Sequence, residues 1–378
     1  MIYFDNAATT AMSKVALDAL MDVSVNQYGN PSAVYAFGRK AKKILDESRE
    51  IIAASIGADP EEIFFTSGGT ESDNWAVNQI GARFNRIIIS SVEHHAVLFP
   101  AENCHESGVE LDIIPINDNC LVSEESLHIV LGESPALVSI MMQNNETGVI
   151  QNIKQLAALV HSCNEASIFH TDAVQAVGHI NIDVHEMGID MLSASAHKFN
   201  GPKGVGFLYI NKNCNIVPFV LGGGQEKGMR SGTENVAGIY SMAKALEDNV
   251  NNMSEIHKHI ISLESLLLSD LRKENIEFEI NGDNEHRATG ILNIAIKGMD
   301  GEGLLNMLDM QGICISIGSA CNSKSQNRSH VLKAMGLSDD RIDSSVRISI
   351  GRYNTEDDIT ELVKCIKRCC NVAAVAEA

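Results

Sequence analysis

The chain has 378 residues, 44% hydrophobic and 21% charged, with a net charge of −20. That length suggests two domains with substantial cores. So acidic a surface disfavours direct binding to nucleic acid or anionic membranes, because gripping phosphates takes clusters of Lys and Arg.

The start, "MIYFDNAATTAMSK", lacks the basic stretch and apolar run of an export signal, and no segment reaches 18 apolar residues. A cytoplasmic chain is expected. Its nine cysteines then read as thiols. Residues 40–57 form a helix with Ile44, Ile52 and Ile56 on one face and Gly57 ending it. Strand-like runs follow at 86–91, 111–116, 136–142, 166–172 and 190–196, with helical segments such as 73–84, 94–107 and 153–164 between them. This alternation predicts an α/β fold whose largely parallel sheet is covered on both faces. From Ser254 to Glu274 runs a long helix. Beyond it, the short runs "EFEI", "ILNIAI", "EGLLNMLDMQG", "CISI" and "SVRISI" suggest a smaller α+β domain. The last helix opens on Thr355 with Asp358 three residues on, a capping-box pattern. The expected division is a large domain over 12–255, with 1–11 and 256–378 forming the small one.

The polar residues that bear chemistry stand at the predicted strand ends. "FFTSGGTESDN" (64–74) is a strand, a glycine turn and a helix start, whose free N–H groups with Gly69 and Thr70 suit a phosphate. It lacks the lysine of the P-loop pattern, which disfavours nucleotide hydrolysis. "SSVEHHAVL" (90–98) places His94 where a flat imidazole can stack on an aromatic ring and move protons. No His or Cys stands at metal-ligand spacing beside it, so no metal site is expected. "MQNNETGVI" adds Asn145. Asp172 closes a strand and suits both a helix cap and the ring nitrogen of a pyridoxal cofactor, with Gln175 one turn on. In "SASAHKFNGPKGVG", Lys198 leaves a strand end in a tight loop, where desolvation turns an amine into a nucleophile. "KCIKRCC" carries Cys365, Cys369 and Cys370, which read as an apolar face packed with Ile359, Leu362, Val363 and Ile366.

With "YFDNAATT", "GNPSA", "TSGGTESDN", "VEHHAV", "NNETGVIQ", "TDAVQAVG", "SAHKFNGPKGVG", "RSGTEN", "GSACNS" and "SSVRISIGR", the sequence resembles the group I cysteine desulfurases of the nitrogen-fixation and iron–sulfur-assembly type. These are aminotransferase class V, fold type I pyridoxal-phosphate enzymes. The likeness runs in order from residue 3 to about residue 370. It implies a seven-stranded, mostly parallel sheet and a homodimer in which Thr233 reaches the neighbouring subunit's phosphate. Carried over by position, Gly69, Thr70, Ser195 and His197 would hold the cofactor phosphate. Asn145 and Gln175 would contact the ring oxygen region, Asp172 the ring nitrogen, and Lys198 would form the Schiff base. Asn30, Asn145 and Arg347 would bind the substrate, with Arg347 gripping its carboxylate bidentately.

The implied reaction removes sulfur from L-cysteine, giving L-alanine and a persulfide on Cys321 that passes to an acceptor or scaffold protein. His94 would serve as acid and base. "SIGSACNS" (316–323) surrounds Cys321 with small residues, which predicts a mobile loop holding it away from Lys198 at rest. Ala196 stands where the family often has glycine, and His95 where it often has lysine or proline. The competing readings are a selenocysteine or cysteine-sulfinate lyase on the same fold and a non-catalytic scaffold. The intact Lys198, His94, Asp172 and Cys321 argue against the scaffold.

Overall fold

The computed structural model describes residues 1–79, 84–132, 134–318 and 328–376, the side chains as far as residue 371. The first half runs β1 (Ile2–Tyr3), α1 (Lys14–Asn26), α2 (Ala36–Ile56), β2 (Ile63–Thr66), α3 (Gly69–Val77), β3 (Arg86–Ser90), α4 (His95–Glu106), β4 (Glu110–Ile114), α5 (Glu124–Val130), β5 (Leu137–Ser139), α6 (Ile153–Cys163), β6 (Ile168–Asp172), β7 (Met191–Ser195) and β8 (Gly206–Ile210). Then come α7 (Val236–Asn251), α8 (Met253–Lys273), β9 (Phe278–Ile280), β10 (Ile291–Ile296), α9 (Gly301–Asp309), β11 (Ile313–Cys314), α10 (His330–Ala334), α11 (Asp339–Asp343), β12 (Ser345–Ser349) and α12 (Glu356–Ala376).

Local chemistry explains the helix ends. On α2, Ala41, Leu45, Ile52 and Ile56 share the buried face. The helix stops at Gly57, whose φ of 69° is a left-handed conformation that a side chain disfavours. It begins four residues before the stretch read from the sequence. The Ser13 hydroxyl caps α1 by accepting from the Ala16 N–H. At α12 the capping box is reciprocal: Thr355 N–H donates to Asp358 Oδ2 at 2.9 Å, and Asp358 N–H to Thr355 Oγ1 at 3.2 Å.

Among the described residues, the large sheet has seven strands in the order β2-β8-β7-β6-β5-β3-β4. The pairs from β7 through β4 are parallel. By contrast, β8 runs antiparallel to both β7 and β2. Strands β5, β6, β7 and β8 are buried along their whole length, as a sheet covered on both faces requires. Helices α1 and α7, which the sequence reading passed over, pack against the α2 side of this core.

A second core gathers Phe4 with side chains of α8, β10, α9, β12 and α12, including Leu263, Leu292, Leu304, Val346 and Ile366. Cys365 and Cys369 are buried in it, with Cys370 against its margin, as the packing reading of "KCIKRCC" expects. Its sheet is β12-β10-β9, antiparallel throughout. The N-terminus joins the two cores: β1 pairs with β11, and residues 5–13 then strap the loop after β7. We propose 12–255 and 1–11 plus 256–378 as the domains built on these two cores. No described helix is long and apolar enough to cross a membrane.

Candidate active site

The carboxyl ends of parallel strands in an open α/β sheet expose loops to a common crevice. Here a cavity of about 190 Å³ is lined there by side chains from several such ends, among them Thr70, His94, Asp172, Ser195, His197 and Lys198. Gly69, Asn145, Gln175 and Arg347 also line it. Ten of the residues singled out from sequence therefore meet in one place.

Each is held by its local structure. Asp172 is the last residue of β6, 5% exposed, and its Oδ1 accepts the Val174 N–H at 2.9 Å. One strand over, β7 ends at Ser195 and a short 3-10 turn, Ala196–Lys198, carries His197 and Lys198 into the cavity wall. The strap fixes this turn: Thr10 Oγ1 donates to the His197 carbonyl at 2.9 Å, and Asn200 N–H donates to Thr10 Oγ1 at 2.9 Å. Lys198 Nζ donates to the carbonyls of Ala7, at 2.6 Å, and Ala8, at 2.9 Å. Gln175 Nε2 donates to the same Ala7 carbonyl at 2.8 Å. At the start of α3, a Cβ on Gly69 would come within 2.6 Å of Val174 Cγ2, so only glycine leaves this corner open.

His94 is the N-cap of α4: its Nδ1 accepts the Ala96 N–H at 3.1 Å. Burial, then the Lys198 charge, push its pKa down to about 4. A neutral imidazole with Nδ1 as acceptor carries its proton on Nε2. Burial likewise takes His197 to about 4. Asp172 is pushed the other way, above the ordinary carboxylate range, by burial. Asp73, one turn along α3 from Gly69, lines the cavity fully buried and is raised by burial and by the neighbouring Asp172 charge. Its Oδ1 has no hydrogen-bond partner. Glu93, raised to about 8 by burial, accepts from Ser90 Oγ at 2.5 Å and from the Met141 N–H at 2.7 Å.

Arg347, on β12, is 1% exposed. Nη2 binds Asp5 Oδ1 at 2.7 Å, Nη1 donates to the Asn145 carbonyl at 2.8 Å, and Nε has no partner. Two of the residues carried over by resemblance do not line this cavity. Asn30 is exposed, its Oδ1 accepting the Ser32 N–H at 2.9 Å, and Thr233 is exposed on the loop before α7. Cys321, with most of the stretch expected to be mobile, lies outside the described residues.

Sequence reasoning missed Asp73, the Asp5–Arg347 pair and the two carbonyls that hold Lys198. Asp73 was open to discovery, since i and i+4 share a helix face with Gly69. The Ala7 and Ala8 carbonyls are backbone groups brought in from 190 residues away, and no side-chain pattern announces them.

The aminotransferase class-V family model matches residues 2–362. The chain is 41% identical to the cysteine desulfurase IscS of Clostridium botulinum over 374 residues, 97% of this chain and 94% of that protein. It is 40% identical to the IscS of Methanosarcina thermophila over 370 residues, covering 97% and 91%. A solved NifS-like protein superposes with a TM-score of 0.92 at 36% identity, covering 98% of this chain and 99% of that one. The chain therefore belongs to the aminotransferase class-V family, in its IscS- and NifS-like branch of cysteine desulfurases.

Proposed function

We propose that this chain uses pyridoxal 5′-phosphate to take sulfur from L-cysteine, releasing L-alanine and leaving a persulfide on Cys321. One observation carries the reading. A lysine amine, a buried carboxyl, a neutral imidazole and a helix N-terminus open on one cavity of about 190 Å³. That donor set fits the cofactor. Gly69 keeps the phosphate corner clear, and the buried carboxyl of Asp172 suits a protonated ring nitrogen. Gly69, Thr70, Ser195 and His197 would hold the phosphate, Asn145 and Gln175 the ring oxygen region, and Asp172 the nitrogen. When bound, the cofactor supplies an electron sink for the bonds at the substrate's Cα.

The chain's own residues do the rest. Arg347 would bind the substrate carboxylate, whereas Asn30, exposed and outside the cavity, has no support for that role. In this structure Asp5 and the Asn145 carbonyl occupy the two Nη atoms of Arg347, so a two-pronged grip on the substrate would have to displace them. The Lys198 amine takes the Cα proton and returns it, and the Ala7 and Ala8 carbonyls hold the amine whenever it is free. Nε2–H of His94 supplies a proton to the departing group. The Cys321 thiolate attacks the substrate sulfur. The S–S bond forms as the Cβ–S bond breaks, and a proton on the released carbon completes alanine. A solvated thiol has a pKa of about 8.5, so the thiolate must form on approach. Thr233 would complete the site of a second copy in a homodimer, and a separate acceptor protein would collect the sulfur.

The test is sulfide release from L-cysteine with dithiothreitol. Lys198→Ala should abolish it. Cys321→Ser should take up cofactor normally, seen as its visible absorption, and yet release almost no sulfide. Full release by Cys321→Ser would favour a lyase that needs no cysteine nucleophile. Turnover by Lys198→Ala would overturn the scheme.

A further inference from the structure

Asp73 is an acid of the cavity that the chemistry above leaves idle. It stands on α3, which packs against β6 and β7, and it lines the same space as Asp172 while only 1% exposed. Beside it runs a chain of buried polar groups from three neighbouring strands. Ser193, on β7, is within hydrogen-bonding reach of the Asp73 carboxyl. The Ser193 hydroxyl meets His170 Nε2 at 3.0 Å, and His170 Nδ1 meets the Ser139 hydroxyl at 2.8 Å. His170 on β6 and Ser139 on β5 are fully buried. His170 Nε2 stands 3.7 Å from Asp73 Oδ1, too far for a hydrogen bond, and that oxygen has no partner.

This setting decides where a proton sits. A buried carboxylate with one bare oxygen is costly, whereas a carboxylic acid needs only one acceptor for its proton. The neighbouring charges point the same way. Burial, the Asp172 charge and Glu93, in the turn after β3, all disfavour an ionised Asp73. Glu93 is itself raised to about 8 by burial and is held by Ser90 and the Met141 N–H. Asp172 has the Val174 N–H and the Lys198 charge on its side. His94 and His170 are neutral, with burial pushing His170 down to about 3. A protonated ring nitrogen brings one positive charge. One carboxylate matches it, and a second would be an unpaired buried anion. With a proton on Asp73, the chain has one direction. Asp73 donates to Ser193 Oγ, Ser193 donates to His170 Nε2, and His170 Nδ1–H donates to Ser139 Oγ.

We propose that Asp73 and Asp172 form a pair holding a single negative charge for the cofactor's ring nitrogen, Asp172 carrying it and Asp73 kept protonated against the Ser193–His170–Ser139 chain. Asp73 is thus a positioning residue that acts through Asp172, a role that rests on the cofactor reading above. The pair has a reserve. Removing the Asp172 charge removes the repulsion that keeps Asp73 protonated, and Asp73 then ionises in its place.

Neutron diffraction locates these protons directly. Crystals of the cofactor-free protein at pH 8 should show deuterium on Asp73 and on His170 Nδ1, and none on Asp172. Cofactor titration by absorbance tests the pair in solution. Asp73→Asn, neutral as the acid is, should bind pyridoxal 5′-phosphate within about threefold of wild type. In an Asp172→Asn background the same change should weaken binding about tenfold further, because it removes the reserve carboxylate. Should the double variant fail to fold, the neutron maps of the wild type decide. Asp73 without deuterium, deuterium on His170 Nε2 in place of Nδ1, a tenfold loss in Asp73→Asn alone, or no further loss in the double variant would each overturn the proposal while leaving cofactor uptake by the wild type intact. A wild type that takes up no cofactor would overturn the reading of the site and this role with it.

Discussion

Asp172→Asn tests the cofactor site from two sides at once. In the proposed complex, the Asp172 carboxylate accepts from a protonated ring nitrogen. A hydrogen bond to a charged group contributes about 1.5–3 kcal/mol, and its burial argues for the upper end. Asparagine should therefore weaken cofactor binding by roughly ten- to 150-fold. Without cofactor the sign reverses. Burial raises the Asp172 pKa above its ordinary value, with the Lys198 charge opposing. A carboxyl whose folded pKa is raised contributes stability that is full below the ordinary carboxylate range and lost as pH rises through the raised value. At pH 8 the cofactor-free protein thus bears a buried charge, whereas asparagine is neutral and still accepts from the Val174 N–H. The variant should gain on the order of 1–3 kcal/mol there, the cost of a poorly satisfied buried polar group. The gain should vanish below about pH 4, where both states of the wild type are protonated. Urea unfolding of cofactor-free protein at several pH values, with a cofactor titration monitored by absorbance, measures both effects. Undiminished cofactor affinity, or a cofactor-free variant less stable than wild type at pH 8, would refute the reasoning.

Two further outcomes follow from the same site. Arg347→Lys keeps the charge but loses the planar fork, so the KM for L-cysteine should rise about tenfold or more with kcat much less affected; steady-state kinetics showing an unchanged KM would remove Arg347 from the substrate site. Glu93, raised to about 8 by burial, contributes stability that is present at low pH and lost as pH rises through about 8. Glu93→Gln should flatten that alkaline loss in denaturant unfolding between pH 7 and 9, and an identical loss in the variant would show that Glu93 does not ionise there.

Much of the site is legible in sequence because its parts are local. Asp172 ends a strand, and Lys198 and His94 lie within four residues of one; a strand end in a parallel sheet has one place to point. What was not legible depends on the fold as a whole. The Asp5–Arg347 pair joins residues 342 apart. The carbonyls of Ala7 and Ala8 reach Lys198 only because β1 pairs with β11 and draws residues 5–13 across the loop after β7. Strand β8 escaped notice and runs antiparallel to its neighbours, since "GVGFLYI" is apolar and uniform and encodes no direction. Helix α7 escaped for another reason. Val236, Ile239, Met242, Ala243 and Leu246 share its buried face, but Gly238 and the polar residues between them weaken the pattern.

The central claim is that sulfur leaves L-cysteine for Cys321. Its most direct test is mass analysis of the cofactor-loaded protein after a single turnover without reductant, followed by peptide mapping. The account predicts the added mass of one sulfur atom on the peptide containing Cys321, matched by an equal amount of alanine and removed by dithiothreitol. Alanine formed in equal amount with no sulfur on that peptide, or with the sulfur on another cysteine, would contradict it.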